Sequence, residues 1–459
     1  VRPVPLLPLF TAFFLLTAPQ AYADPLDDRI AQEMERRHVP GVSVLVLRDG
    51  KVIKEKGYGF ANLEHRVPVN ADTVFQSGSV GKTFTAALVL LLAGDGKLNL
   101  DDPIERHLAN TPPAWKAITI RHLLTHTSGL GDPYERIDFR KDYADEELIA
   151  LEAAIPVLFA PGERFSYSNM GYHLLGFICN KAGGKFYGDQ LRERIFAPLG
   201  MGTRIISESD IVPHRAAGYE WENGAVRNQA WVAPKLNTTA DGSLYLTARD
   251  LARWDQALYG NRILDAQQRT ASWTPTRLND GKESDYGYGW QLGQRNGHTL
   301  ISHSGAWQGF KSQLSRFVDD RFTVIVLANS ANANPGKFAD LVAAHFIPAL
   351  AAVPAPPIAD AEPAVTAAVR AAVASLAAGA RPAGLAPAAE RRFSPEAVAG
   401  LSAELKSFGT LQTVELLART SEGDLTRYRY RFRFAGDTVL VTCVRDKTGL
   451  IEKLWMTPE

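Results

Sequence analysis

Between residues 24 and 350 the strand-like runs sit at the two ends, and the long stretch separating them reads as helices and polar loops. A helical stretch over 24–38 comes first. Residues 42–47 and 52–58 then flank Arg48-Asp49-Gly50, the pattern of a β-hairpin closed by an Asp-Gly turn. Strand character returns at 289–295, 300–303, 310–317 and 323–329, and a helix follows over about 337–350. Strands need partners for their backbone N–H and C=O groups, so the two distant sets are expected to meet in one antiparallel sheet. The fold class is therefore α+β: a sheet flanked by helices, enclosing a helical subdomain.

Val353-Pro354-Ala355-Pro356-Pro357 marks a linker, placed at 351–363. Beyond it, 364–459 shows two Ala-rich helical stretches and four strand-like runs, at 413–419, 427–434, 439–445 and 450–457. This reads as a small C-terminal α+β domain, and its late strands resemble cystatin-like or nuclear-transport-factor-like domains. At the other end, Arg2, an apolar stretch over 6–18 and Ala21-Tyr22-Ala23 make the pattern of a cleavable signal peptide, 1–23, cut after Ala23. The expected location is periplasmic or secreted, with no stable membrane span after cleavage. The main domain is placed at 24–350.

The chain has Lys+Arg 50 against Asp+Glu 50, so no net field recommends nucleic acid or an anionic membrane as partner. A small-molecule or peptide substrate fits better. Cys179 and Cys443 fall in different expected domains and read as buried small hydrophobes rather than a disulfide.

Three constellations carry chemistry. In Ser79-Val80-Gly81-Lys82, Ser79 opens a predicted helix and Lys82 lies on the same face one turn later. A serine hydroxyl is a poor nucleophile until a base takes its proton, and a lysine in a dry pocket can do so. Tyr167-Ser168-Asn169, on a loop after Pro161-Gly162-Glu163, offers a phenol as proton relay and a carboxamide to orient substrate or Lys82. His303-Ser304-Gly305-Ala306 ends a predicted strand, where the glycine lets a substrate lie along the edge. There the backbone amide of Ala306 could join that of Ser79 as an oxyanion hole.

In this order the three are the motif set of the penicillin-recognising serine hydrolases. The surrounding words agree: Phe75-Gln76-Ser77-Gly78-Ser79, the stretch 121–130, 161–176 and 303–310 resemble the class C β-lactamase-related family. That family includes D-alanyl-D-alanine carboxypeptidases, D-aminopeptidases and esterases. The resemblance covers roughly residues 25–350. It implies a β-lactamase/transpeptidase-like fold in which Ser79 attacks, Lys82 and Tyr167 share the proton transfers, and Asn169, His303, Ser304 and Gly305 line the substrate pocket. Two departures stand out: Ser243, in Ala240-Asp241-Gly242-Ser243-Leu244, where a second glycine is common, and His303, where β-lactamases keep lysine. An imidazole is mostly uncharged at neutral pH and holds a substrate carboxylate less firmly. This weakens the expectation of β-lactam hydrolysis and favours esters, amides or peptides, with β-lactamase or D-alanyl-D-alanine carboxypeptidase activity as the alternative.

His122 and His126 have the spacing of two zinc ligands, but no glutamate follows His122 and the family loop accounts for both; no metal or organic cofactor is implied. No Gly-x-Ser-x-Gly elbow is present. Arg427, Arg429, Arg431 and Arg433 alternate with aromatic residues and are expected on a solvated sheet face. The rival to a hydrolase is a non-catalytic cell-wall sensor or binding module of the same fold. Specificity is assigned to loops 132–145 and 212–237.

Overall fold

The computed structural model describes residues 24–134, 136–205, 209–222, 224–351, 353–390 and 392–458. The leader pattern at 1–23 lies outside the described residues. No helix among the described residues is long and apolar enough to cross a membrane.

Helix α1 (Pro25–Arg36) starts where the Asp24 carboxylate accepts the Leu26 amide and Pro25 fixes the first φ. Strands β1 (Gly41–Arg48) and β2 (Lys51–Asn62) form the expected hairpin. Asp49 and Gly50, at φ 51° and 72°, give its turn the handedness that matches strand twist. A short β3 (Val67–Pro68) follows. The buried helix α2 (Lys82–Gly94), α3 (Asp145–Ala153), α4 (Asn169–Gly183) and α5 (Ala248–Ala257) make the helical part. The chain then returns through β4 (Gln291–Arg295), β5 (His298–Trp307), β6 (Phe310–Phe317) and β7 (Phe322–Ala328), closed by α6 (Pro335–Phe346).

The sheet order is β4-β5-β6-β7-β1-β2-β3, antiparallel throughout, so the hairpin from the chain's start docks on β7 from residue 328 back to 322. β1 and β7 are central and buried on both faces, and their alternation splits the core in two. Leu45, Leu47, Ile325 and Leu327 face the helical side with α2, α4 and α5. Val42, Val44, Val46, Val324 and Val326 face α1 and α6.

After the linker come α7 (Pro363–Ala377), α8 (Pro395–Ser407) and a four-stranded antiparallel sheet, β8 (Leu411–Glu422), β9 (Leu425–Phe434), β10 (Thr438–Asp446) and β11 (Ile451–Pro458), with its own core. The expectation of a solvated arginine face needs correcting at one position. Arg427 and Arg429 are exposed, but Arg431 is 2% exposed, because the linker crosses the sheet and its Ala355 carbonyl accepts from the guanidinium at 3.1 Å, opposite Glu415 at 3.1 Å. Asp437 binds Arg36, the last residue of α1, and Arg37 just beyond it, tying this unit to the main body. Cys179 and Cys443 are free thiols in separate cores.

Candidate active site

Ser79 sits on a 3-10 turn, Gly78–Gly81, that runs directly into α2. Gly78 has φ +50°, and a Cβ there would stand 2.4 Å from the Ala306 nitrogen, so only glycine lets the turn nest against β5. Lys82 is wholly buried. Its Nζ makes three contacts: Ser79 Oγ at 3.0 Å, Asn169 Oδ1 at 2.8 Å and the main-chain carbonyl of Asp241 at 2.6 Å. A neutral amine satisfies the same set, with two N–H groups given to Asn169 and Asp241 and the lone pair left for the serine O–H.

Asn169 opens α4, so the Tyr-x-Asn motif ends as a helix start that aims the carboxamide at Lys82. Its Nδ2 donates to Asp132 Oδ2 at 2.9 Å. The Tyr167 ring lies 5.0 Å from Lys82 Nζ, 4.1 Å from the His126 ring and 6.3 Å from that of His303. His126, fully buried under Tyr167, accepts the Ser168 amide at Nδ1 and is held well below the usual histidine range by burial, with Lys82 and His303 adding to it. His122 instead caps its own short helix through Thr119.

The register of β5 shapes the opposite wall. The Asn296-Gly297 turn makes Arg295 and His298 a closing pair, so alternation points the even-numbered amides of β5 to the β4 side. β4 ends its pairing at Ser302, which leaves the Ser304 and Ala306 amides without a β4 partner beside the Ser79 turn. Both are exposed. Gly305 is buried between them, and a Cβ there would stand 2.0 Å from the Ser77 carbonyl oxygen.

His303 points inward. Its Nδ1–H donates to the Ser304 carbonyl at 2.6 Å, and Nε2 accepts the Tyr286 hydroxyl at 2.9 Å. Burial, then repulsion from Lys82, pushes it down to about 3, so it is uncharged at any ordinary pH. Among the described residues, His303 therefore brings no fixed cation to this wall. Ser243 is buried and donates to the Leu236 carbonyl, while the neighbouring Gly242 makes the close approach to Gly78. Within the two loops named for specificity, Ile137, Val232, Ala233 and Leu236 share one apolar cluster with Tyr134, Phe139 and Trp307, forming a continuous wall; Glu135 and Asn223 lie outside the described residues.

Sequence reasoning missed Asp132, Tyr286 and a buried group comprising Glu152, His173 and Asp241. Asp241 stood in a quoted stretch but drew attention only to its neighbour. Glu152 and His173 carry no motif.

The chain belongs to the β-lactamase family: the family described as Beta-lactamase matches residues 26–347. The fold is β-lactamase/transpeptidase-like. Among curated relatives, penicillin-binding protein 4* of Bacillus subtilis (strain 168) is 31% identical over 338 residues, covering 69% of this chain and 74% of that protein. A D-aminopeptidase of Brucella anthropi is 30% identical over 316 residues, 66% of this chain and 59% of that enzyme. Among solved structures, a D-amino acid amidase from Ochrobactrum anthropi SV3 superposes with a TM-score of 0.61 at 27% identity, over 70% of this chain and 96% of that one. An octameric penicillin-binding protein homologue from Pyrococcus abyssi superposes with a TM-score of 0.63 over 95% of this chain and 98% of that one; at 23% identity this likeness is one of fold.

Proposed function

We propose that this chain is a serine hydrolase that cleaves an ester or amide through an acyl-enzyme on Ser79. The observation that carries the reading is the 3.0 Å contact between Ser79 Oγ and the wholly buried Lys82 amine. Lys82 takes the hydroxyl proton as Oγ attacks the carbonyl carbon, and the oxyanion forms between the amides of Ser79 and Ala306. Tyr167, against Lys82, passes a proton to the departing alkoxide or amine as the carbonyl re-forms. Water then attacks the ester on Ser79, and the serine leaves with its proton restored.

His303 is uncharged, which leaves a substrate carboxylate without the lysine that β-lactamases keep at this position. Asp132, beside Asn169, is exposed, and no basic side chain pairs with it among the described residues. That polarity favours substrates carrying an amine near the scissile bond, in keeping with the aminopeptidase and amidase relatives. Export from the cytoplasm belongs to the same proposal and rests on the pattern at 1–23.

Intact-mass analysis after exposure to a fluorophosphonate probe, with Ser79→Ala alongside, tests the nucleophile. One adduct that is lost in the variant is expected; no adduct on folded protein refutes the reading and favours a binding module. Turnover of D-amino acid amides and p-nitrophenyl esters, with little of nitrocefin, is expected to follow.

A further inference from the structure

Behind Lys82 lies a line of buried charged groups that the acylation scheme leaves unused. Asp241 reaches Lys82 through its main-chain carbonyl, and its carboxylate turns the other way. Oδ2 accepts the Tyr134 hydroxyl, and Oδ1 lies 3.2 Å from His173 Nε2. On its far side His173 presents Nδ1 to Glu152 Oε1 at 2.5 Å. Glu152, His173 and Asp241 are 0%, 2% and 4% exposed. They come from α3, from α4 and from the segment after residue 239. His173 is four residues beyond Asn169, so one face of α4 presents a carboxamide to Lys82 and an imidazole to Asp241.

An imidazole with a carboxylate at each nitrogen carries both protons. Burial alone would lower His173, but Asp241 and Glu152 raise it well above the ordinary histidine range. Burial would raise Asp241, yet His173 and Lys82 bring it far below the usual carboxylate range, while burial leaves Glu152 above its own. The other titratable groups facing this line from neighbouring elements are Tyr134, Tyr172 and Tyr187, phenols held protonated by burial, and the uncharged His126 and His303. Tyr167 faces Lys82, and Asp132 stands beyond Asn169. The Asp241 carboxylate is a buried anion whose charge acts on Lys82, and His173 is the cation that opposes it.

We propose that His173 is a positioning residue for the reaction: by neutralising Asp241 and fixing its main chain, it keeps Lys82 in place while leaving the amine free to give up its proton. The inference rests on Lys82 accepting the Ser79 proton. Without the imidazolium, the Asp241 carboxylate would favour the ammonium form of Lys82 and oppose the first step. Without the Asp241 carboxylate, the anion that favours the ammonium form is gone and the neutral amine gains.

The test is the pH dependence of Ser79 acylation by a fluorophosphonate in the full chain, comparing wild type with His173→Gln, Asp241→Asn and the double variant. The acid limb should move up by about one pH unit or more in His173→Gln, as expected for an unmasked buried charge a few ångströms away. In Asp241→Asn it should move down, and in the double variant it should return toward wild type. A merely structural role would lower the plateau without opposed shifts. If His173→Gln does not fold, the downward shift of the near-isosteric Asp241→Asn decides alone. Folded variants acylated with unmoved limbs, or with limbs moved the same way, overturn this inference only. No acylation of wild type at any pH overturns the Ser79–Lys82 reading as well.

Discussion

Gly305→Ala tests how closely β5 must approach the nucleophile turn. The added Cβ would stand 2.0 Å from the Ser77 carbonyl oxygen and 2.3 Å from Ser312 Oγ, whose own hydrogen bond runs to that same carbonyl. A carbon needs on the order of 3.5 Å from such neighbours, so strand and turn must part by more than about 1 Å. Ser77 is only two residues from Ser79, and Ala306 is the next residue along β5, so the parting opens the gap between the two amides of the proposed oxyanion hole. A misplacement of about 1 Å costs roughly 100-fold in rate, and overpacking a buried contact costs about 1–3 kcal/mol. The assay is the second-order rate constant for fluorophosphonate acylation, read beside thermal unfolding. A loss of about two orders of magnitude with a melting point lowered by several degrees is expected. Acylation within about threefold of wild type would refute the reasoning, because the strand would then tolerate separation without cost to the site.

Lys82→Met should keep the fold and lower acylation by roughly 100- to 10,000-fold, the span of a lost proton acceptor; circular dichroism and the same rate constant check it. Asp255→Ala should destabilise the chain by about 3–5 kcal/mol in urea unfolding, because it strands the fully buried Arg316, whose Nε lies 2.7 Å from Asp255 Oδ1. Burial would raise the Asp27 carboxyl, but Lys56, Tyr58 and Lys54 outweigh it and bring it from 3.8 to about 2. A lowered carboxylate gives stability that is present above 3.8 and lost as pH falls through about 2. The melting-point gap between wild type and Asp27→Asn should therefore be full at pH 6 and close toward pH 2; a constant gap would count against this ion-paired link between α1 and β2.

The sequence by itself determined what depends on local spacing. Three residues along one helical turn carry Lys82 back to Ser79, and the Asp-Gly turn makes the first hairpin. Strand patterning at both ends of the main domain demands one sheet, because backbone groups need partners wherever the chain supplies them. What only the tertiary structure decided depends on groups far apart in the chain. His303 is uncharged because burial and the nearby Lys82 hold it so, not because of its neighbours in sequence. Arg431 is buried because a linker folds across its strand. Glu152, His173 and Asp241 have no shared spacing, since α3, α4 and a later loop bring them together only when the core closes. In the low dielectric of that core their charges act on one another and on Lys82 far more strongly than water would permit, and such coupling has no local signature.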